Sequence, residues 1–390
     1  MKIAIVTLPL HTNYGGLLQA YALKTLLEEM GHEVTVLDLA GKVFFPKPSK
    51  ALFVYMKRAL IKALKGNAAP EVFREFRLKS EYPVISSCIS EFTDKYIRPR
   101  VLNSYSELKE SDYEAFVVGS DQVWRPEYFR PVQEAFLRFA ADWDVKRVAY
   151  AASFGTDELE YEYTLLEECS GLLAKFDAVS VRELSGVKMC DEWFDCEHAV
   201  HVLDPVMMLP VADYEAIACK EMEKSPKGGV LTYILDKSDV KTAVAGFVSR
   251  ATGMEIHDVS VYPKESTIPL EQRIVPSMEK WLSAFLNASF VVTDSFHGCV
   301  LSIMFHKPFL VVGNKARGMS RIDSLLGLFS LEHRLVDGID PDDDGEGWLM
   351  ELDWKHVDAV LSQYQESSRD FLASVLKVDG TSDSRNVETD

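Results

Sequence analysis

The chain has 390 residues, of which 47% are hydrophobic and 26% charged, and its formal net charge at pH 7 is −18. This length exceeds one ordinary hydrophobic core, so two domains are expected. The acidic balance argues against nucleic acid as a partner, because a phosphate backbone needs a cationic surface. No apolar run approaches the length of a membrane span.

A strand–helix–strand pattern opens the chain. Residues 2–8 and 33–39 are strand-like, and apolar residues recur at helical spacing between them until Gly31. The pattern predicts a right-handed crossover in a parallel sheet. Its loop ends in Asn13-Tyr14-Gly15-Gly16, whose glycines lead into the helix with neither the dinucleotide nor the P-loop spacing. The first residues carry no cleavage site, so no signal peptide is expected.

The segment 42–65 is basic and amphipathic. It contains seven lysine or arginine residues, no acidic residue and many apolar residues. In an acidic protein this pattern is typical of a peripheral contact with a membrane surface. The alternative is an excursion whose apolar face packs on its own domain while the lysines stay solvated. The pattern favours neither interpretation over the other.

Four further strand patterns each end in small or polar residues. They are 115–118 before Gly119-Ser120-Asp121-Gln122-Val123-Trp124, 147–152 before Ser153, 178–181 before Arg182-Glu183, and 200–203 before Asp204-Pro205. Because open α/β sheets bind ligands beyond the carboxyl ends of their strands, this repetition predicts a shared crevice.

A second α/β unit follows a polar link at 220–227. The predicted organisation is an N-terminal domain over residues 1–207, a C-terminal domain over 208–345, a helical segment over 346–378 that packs back on the first domain, and a disordered tail over 379–390. The alternation of strands and helices indicates an α/β fold with parallel sheets.

The most informative stretch is Thr293-Asp294-Ser295-Phe296-His297-Gly298. It lies between a buried strand pattern and an apolar helix pattern. Gly298 lets a ligand approach the backbone, and the helix start offers N–H groups to an anion. His297 can exchange a proton near neutral pH. The alternative is a polar turn with a satisfied histidine.

Charged residues beyond other strands are further candidates, each with a structural alternative. Asp121 suits a hydrogen bond to a substrate hydroxyl or a cap on the following turn. Arg182 suits a carboxylate or phosphate, or an ion pair with an acid such as Glu183. Asp204 is a candidate for binding substrate, and its structural alternative is to shape the interdomain turn. Lys315, Arg317 and Arg321 follow the strand pattern 309–314 and suit an anionic donor.

Cysteine usage predicts neither disulfides nor metal. The six cysteines are scattered and mostly lie in apolar or helical contexts, which indicates reduced thiols in a cytoplasmic protein. Cys190, Cys196, His198 and His201 match no familiar zinc spacing, so no metal site is expected.

Together these stretches resemble the polysaccharide pyruvyl transferase family. In family order, from residue 3 to about 330, they are Asn13-Tyr14-Gly15-Gly16, Gly119 to Trp124, Ser180-Val181-Arg182-Glu183, Asp204-Pro205 and Thr293 to Gly298. The resemblance implies two Rossmann-like domains facing a cleft, similar to GT-B glycosyltransferases. It also implies phosphoenolpyruvate as donor, and as acceptor a sugar of a bacterial surface glycan or its lipid-linked precursor.

The resemblance also implies roles. His297 is expected as acid or phosphate ligand, and Asp121 or Asp204 as the group that orients or deprotonates the acceptor. Donor contacts are expected from Arg182, Ser295, Gly298, Lys315, Arg317 and Arg321, and acceptor contacts from Asn13, Tyr14, Gly15, Gly16 and Trp124. Some characterised members look to carry arginine where this chain has Ser295, so Lys315, Arg317 or Arg321 would replace it. No cofactor is expected.

Two alternatives stand beside this function. One is a GT-B-type glycosyltransferase that uses a nucleotide sugar, since fold alone does not separate the donors. The other is a non-catalytic protein that binds or assembles glycans. The expected location is the cytoplasm, and the membrane interpretation of 42–65 would add a contact with the inner face of the membrane.

Overall fold

The computed structural model describes residues 1–40, 45–46, 48–66, 71–264, 267–314, 317–338 and 346–377. Some predicted features lie outside the described residues, namely residues 42–44 and 47 of the basic segment 42–65, Lys315 and the tail 379–390.

Strands and helices alternate along most of the chain. The strands are β1 (Lys2–Val6), β2 (Glu33–Leu39), β3 (Arg100–Leu102), β4 (Ala115–Val118), β5 (Lys146–Ala152), β6 (Ala178–Val181), β7 (Val200–His201), β8 (Val230–Tyr233), β9 (Ile256–Asp258), β10 (Phe290–Thr293), β11 (Phe309–Val312) and β12 (Leu335–Val336). The helices are α1 (Tyr14–Glu29), α2 (Pro48–Lys65), α3 (Arg74–Ile85), α4 (Ser87–Phe92), α5 (Tyr163–Leu173), α6 (Leu184–Phe194), α7 (Val211–Ala218), α8 (Asp239–Thr252), α9 (Met278–Asn287), α10 (Phe296–Met304), α11 (Ser320–Leu328), α12 (Glu346–Leu349) and α13 (Trp354–Val375).

The first sheet has seven parallel strands in the order β3-β2-β1-β4-β5-β6-β7. Its first six positions follow the Rossmann order. Along β1, Ile3 and Ile5 belong to one buried cluster, whereas Ala4 and Val6 belong to another. Both faces of the sheet are therefore covered, which explains why its strands are continuous apolar runs.

The second sheet has five parallel strands in the order β12-β11-β10-β8-β9. Counted from β8, this is the flavodoxin-like order. The two sheets confirm the predicted α/β fold with two Rossmann-like units about a cleft. The strands of the first sheet lie within residues 2–201 and those of the second within 230–336.

Each sheet has one point at which its strand order reverses. In the first sheet β1 pairs with β4, and Val6 lies opposite Val118. In the second β8 pairs with β10, and Tyr233 lies opposite Thr293. Chains that leave adjacent strands in opposite directions open a crevice at such a point, which is where doubly wound sheets bind ligands.

The units share a continuous apolar core. The largest buried cluster includes Ile3 from the first sheet and Val291 from the second. Across the junction the Tyr14 ring stacks on Trp281 with centroids 4.7 Å apart and planes 2° apart, and Tyr14 Oη donates to Pro276 O at 2.8 Å. An apolar junction of this kind holds the two crevices at a defined separation.

The C-terminal helix α13 lies against the first sheet. Ser368 Oγ accepts from Leu203 N at 3.1 Å, and Gln365 Nε2 donates to Met207 O at 2.6 Å. Lys146 Nζ donates to Val375 O at 2.8 Å. In the part of the chain described here, no helix is both long and apolar enough to cross a membrane.

Candidate active site

A small cavity lies where the two reversal points meet. Asn13, Asp121 and Gln122 line it from the loops after β1 and β4. The second sheet contributes residues after β8, β10 and β11, namely Leu235, Asp294, Ser295, Phe296, His297, Asn314, Arg317, Gly318, Arg321 and Ile322. The cavity volume is about 50 Å³, which is room for about three to five water molecules. The site is therefore shared by both units.

His297 lies in the first turn of α10 and faces the first unit. Every residue of α10 is buried, so the helix fixes the ring from behind. Its Nε2 lies 3.7 Å from Asp204 Oδ2, too far for a hydrogen bond, and has no hydrogen-bond partner among the described residues. A Cβ at Gly15 would lie 2.0 Å from His297 Nδ1, so only glycine admits the ring there.

Arg182 joins two carboxylates beneath the cavity. Its Nη1 donates to Asp204 Oδ2 at 2.7 Å, and its Nη2 donates to Asp121 Oδ1 at 3.2 Å. The guanidinium also lies over the Phe296 ring, 4.4 Å from the centroid. All three charged groups are buried. Arg182 is therefore committed to Asp121 and Asp204 and is not among the cavity-lining residues, so it positions the acids and does not contact a donor in this geometry.

The acids of this cluster stay ionised. Burial opposes ionisation of Asp204, but the neighbouring His297 and Arg182 hold its pKa well below its usual range. Burial likewise opposes ionisation of Asp121, and the charges of Arg182, His297 and Arg321 outweigh it and lower that pKa. Asp121 also adopts φ +73°, which is uncommon for a residue with a side chain and is concentrated at functional sites.

Arg321 is a buried cation without an acidic partner. Its Nη2 donates to Arg317 O at 2.9 Å, its Nε has no partner, and no ion pair links it to a described carboxylate. Burial, with repulsion from Arg182, lowers its pKa to about 10. Since a guanidinium remains charged at neutral pH, this group is poised to bind an anion.

Arg317 is less available than Arg321. Its Nε and Nη2 donate to the two carboxylate oxygens of Asp236 at 2.5 and 3.1 Å. Asp236 and Asp294 in turn both accept from Asn314 Nδ2, at 2.8 and 2.9 Å. Arg317 therefore belongs to a network on the cavity rim.

Asp294 organises the loop after β8. It accepts from Leu235 N at 2.6 Å and from Lys241 Nζ at 2.7 Å. These bonds fix the wall of the cavity opposite Asp121.

Several predicted contacts are corrected by the structure. Trp124 is fully buried, stacks on Phe136 and donates its Nε1 to Ala135 O at 3.2 Å, so it belongs to the core and not to the acceptor side of the cavity. Tyr14 is buried in the junction between the units and does not line the cavity.

Ser295 and Gly298 have structural roles at the start of α10. Ser295 Oγ accepts from Gly298 N at 3.4 Å as the N-cap of the helix. A Cβ at Gly298 would lie 2.4 Å from Thr293 Oγ1, so this glycine serves close packing of the helix on β10 and not the approach of a ligand. Ser295 still lines the cavity.

Of the acceptor-side glycines, Gly15 makes room for His297, and Gly16 lies behind the cavity. A Cβ at Gly16 would meet Asp121 Oδ2 at 3.5 Å, an ordinary contact. Gly15 and Gly16 are not among the lining residues, whereas Asn13 is.

Sequence reasoning did not single out several residues that line the cavity, although their position in a motif or after a strand pointed to them. Gln122 and Asp294 lie inside motifs that were quoted, and Leu235 and Asn314 follow strands whose carboxyl ends face the cleft. Glu183 was missed as a buried acid: its Oε1 accepts from Phe154 N at 2.9 Å, and burial raises its pKa.

Cys190, Cys196, His198 and His201 were the residues considered as metal ligands, and no metal site was predicted there. Cys196 Sγ lies 3.7 Å from His198 Nε2. Within the described ranges, no group of three or more His, Cys, Asp or Glu is placed to hold a metal ion.

Solved structures with similar architecture share little sequence with this chain. UDP-GlcNAc 2-epimerase from Neisseria meningitidis bound to UDP-GlcNAc has 10% identity and a TM-score of 0.44, covering 95% of this chain and 94% of that one. UDP-N-acetylglucosamine 2-epimerase from Rickettsia bellii has 9% identity and a TM-score of 0.41, covering 96% and 99%. The spinosyn rhamnosyltransferase SpnG has 14% identity and a TM-score of 0.40, covering 96% of each chain.

Sequence comparison is more informative than these structures. No curated protein sequence is similar enough to this chain to count as a match. The sequence profile described as polysaccharide pyruvyl transferase, however, matches residues 13–316, most of the chain. The matched range begins at Asn13 and includes Asp121, Asp204 and His297, which the fold brings together. The chain belongs to the polysaccharide pyruvyl transferase family.

Proposed function

We propose that this transferase moves the pyruvyl group of phosphoenolpyruvate onto a sugar of a bacterial surface polysaccharide or its lipid-linked precursor. The product is a ketal, and phosphate is released. The observation that carries the proposal is the cavity between the reversal points, where buried Arg321 lacks an acidic partner and His297 Nε2 lacks a hydrogen bond. An anion and a proton acceptor in one small molecule would satisfy both groups.

Phosphoenolpyruvate fits these unsatisfied groups by its chemistry. Its carboxylate and phosphate are acceptors for a guanidinium fork, and Arg321 is the described cation of the cavity that has no carboxylate attached. Ser295 and the first turn of α10 add a helix N-terminus on the same wall. In this proposal Arg321 binds one anionic group, and Arg317 with Asn314 guides the donor at the rim.

The reaction then needs a proton at carbon. His297 delivers a proton to the methylene carbon, which becomes a methyl group and leaves the adjacent carbon electrophilic. One sugar hydroxyl adds to that carbon and transfers its proton to Asp121 or to His297. A second hydroxyl displaces phosphate, which leaves with a proton. Two hydroxyl protons are thus lost, one balancing the new methyl group and the other protonating phosphate.

Asp204 supports His297 in this scheme. An ionised carboxylate 3.7 Å from Nε2 attracts the positive charge of a protonated ring, and Arg182 keeps that carboxylate in place. Asp121 lines the cavity, whereas Asp204 does not, so Asp121 is the better candidate for the base. Asp204 is fully enclosed, which suits an orienting role.

The volume of the cavity can be compared with the sizes of the donor's anionic groups and of the acceptor. A volume of about 50 Å³ suits a small anionic group but not a saccharide or a nucleotide sugar. The proposal therefore requires the cleft to open for the acceptor and to close around the donor. An opening that admits a saccharide would also admit a nucleotide sugar, so the ligand titration below separates these two donors. The non-catalytic alternative leaves Arg321 and His297 without a purpose.

We also propose a cytoplasmic location without a cofactor. All six cysteines are free in the structure, which suits a reducing compartment. The donor carries the group to be transferred, so the scheme uses no further carrier.

A thermal-shift titration tests the donor without knowledge of the acceptor. Phosphoenolpyruvate should stabilise the protein, by about 2.7 kcal/mol at a hundred times its dissociation constant, and UDP- or GDP-sugars should not. Inorganic phosphate and pyruvate are the matched controls. Stabilisation by a nucleotide sugar alone would contradict pyruvyl transfer and favour glycosyl transfer, and stabilisation by glycan alone would favour the non-catalytic reading.

A further inference from the structure

Helix α2 exposes a large apolar face. Leu52, Phe53, Met56, Leu60 and Leu64 are 63–78% exposed, and none of the residues described in this helix is buried. At about 3.6 residues per turn these five side chains share one face of the helix. Single exposed apolar residues are ordinary, but a contiguous face of this kind marks an interaction site.

The helix is attached to the protein by its opposite face. Val54, Tyr55 and Ile61 are half-buried, and the Tyr55 ring lies 5.1 Å from the ring of Phe73. Arg58 pairs with the buried Glu75 of α3 at 2.8 Å. The helix therefore packs one set of apolar residues on its own domain, as the alternative interpretation expects, while the face of Leu52, Phe53, Met56, Leu60 and Leu64 stays in solvent.

The exposed part of α2 is also strongly basic. Lys50, Lys57, Lys62 and Lys65 are all exposed, and the helix contains no acidic residue, although the whole chain carries a net charge of −18. Viewed down the helix axis, Lys57 borders one edge of the apolar face, next to Leu64 and Phe53. Lys62 lies beyond the opposite edge, past Leu52. A positive rim around an apolar face is complementary to an anionic lipid surface.

We propose that α2 docks the protein on an anionic lipid surface, with its apolar face among the acyl chains and its lysines among the headgroups. A second copy of this chain is a poorer occupant, because a symmetric contact would bring the lysines of one copy against those of the other. A bilayer instead presents anionic headgroups that neutralise them.

Docking through α2 would hold the cleft close to the membrane. The Tyr82 ring of α3 lies 6.2 Å from that of His11, in the loop after β1, and Glu81 accepts from Arg273 of the second unit at 2.9 Å. Helix α3 thus separates α2 from the cleft by one helix layer. The inference rests on α2 alone and not on the proposed reaction.

Vesicle co-sedimentation of the full chain tests the proposal. The probes are phosphatidylcholine vesicles with and without about 30% phosphatidylglycerol at low salt. One variant replaces Leu52, Leu60 and Leu64 with serine, and its control replaces the exposed Val101, Tyr163 and Val240 with serine. The other replaces Lys50, Lys57, Lys62 and Lys65 with glutamine, and its control replaces the exposed Lys188, Lys220, Lys227 and Lys355 with glutamine.

We expect the wild type and both controls to bind anionic vesicles only, and each α2 variant to lose at least about tenfold in partitioning. Raising salt should weaken binding of the wild type, since exposed charges are screened. Circular dichroism and thermal unfolding confirm that the variants fold. Failure of the wild type to sediment with anionic vesicles would overturn the proposal. So would binding that the α2 variants retain, or a dimer in light scattering that the leucine variant abolishes.

Discussion

His297 is the side chain that both units help to place. Its ring packs where Gly15 leaves room, and Nε2 faces the carboxylate of Asp204 without a hydrogen bond. We expect His297→Ala to lower turnover by about 10²–10⁴-fold, the usual worth of general acid–base help, with an unchanged thermal unfolding profile. Phosphate release from phosphoenolpyruvate with a surface-glycan acceptor measures this, and His356→Ala, an exposed histidine, is the control. Near-normal activity in His297→Ala would contradict the assigned role.

Arg321 is expected to lower the stability of the unliganded fold and to strengthen binding of the donor. A buried guanidinium without an acid partner costs folding free energy, so Arg321→Met should raise the free energy of unfolding by on the order of 1 kcal/mol without ligand. The same variant should lose stabilisation by phosphoenolpyruvate. Chemical denaturation with and without phosphoenolpyruvate measures both effects.

The matched control for Arg321 is Arg147, also buried but bonded to the carbonyls of Val145, Ala140 and Trp143. Arg147→Met should destabilise the fold by about 1–3 kcal/mol and keep the ligand effect. A fall in stability of Arg321→Met together with an intact response to phosphoenolpyruvate would refute the assignment of Arg321.

The Asp204–Arg182 pair predicts a pH dependence. The pKa of Asp204 is lower in the folded than in the unfolded chain, so its stabilisation is complete above the unfolded value of about 3.9 and is lost as pH falls towards the folded value. Asp204→Asn should therefore destabilise the protein by about 3–5 kcal/mol at neutral pH, because Arg182 loses a buried partner. The difference should shrink below about pH 4.

Denaturant unfolding between about pH 3 and pH 8 checks this dependence. Asp142→Asn, whose side chain is 95% exposed, is the control and should change stability by less than about 0.5 kcal/mol. A gap between wild type and Asp204→Asn that widens in acid would show that the sign is wrong.

At the scale of elements, the start of α1 sets the geometry of the start of α10. A Cβ at Gly15 would overlap His297 Nδ1, so Gly15→Ala must displace the ring or the helix. We expect turnover to fall by about 10²-fold, because a shift of the order of 1 Å misplaces a catalytic group. Gly171→Ala in α5, where no described atom lies within 4 Å of the added Cβ, should be active. A fully active Gly15→Ala would mean that His297 does not act from this position.

Element type could be predicted where the local pattern was long or fully apolar. The strand and helix on either side of the His297 motif were predicted as β10 and α10, because a buried apolar run leaves few alternatives. Short edge strands such as β3 and β12 gave no comparable signal. Neighbouring strands, and not their own residues, decide whether such segments pair.

At the scale of the whole molecule, closure of the cleft depends on another close approach. Gly318 has φ +82°, and a Cβ there would lie 1.8 Å from Gly155 O in the first unit. Gly318→Ala should therefore hold the units apart. It should increase the radius of gyration measured by small-angle X-ray scattering and weaken phosphoenolpyruvate binding by about tenfold or more. Gly253→Ala is the matched control, since it has φ +68° and no described atom within 4 Å. Equal effects of both variants would show that backbone strain, and not closure, is responsible.

The sequence by itself determined the α/β class, the strand ends that carry polar residues and the family. These follow from local periodicity and from short motifs, which depend on neighbours in the chain. It did not distinguish Arg182, which is locked between two acids, from Arg321, which is left without one. It also did not show that Trp124 is a core residue or that the apolar face of α2 lies in solvent. Only the tertiary structure decided these, because pairing and burial depend on which distant segments meet, and here they meet where Gly15 and Gly318 let the two units touch.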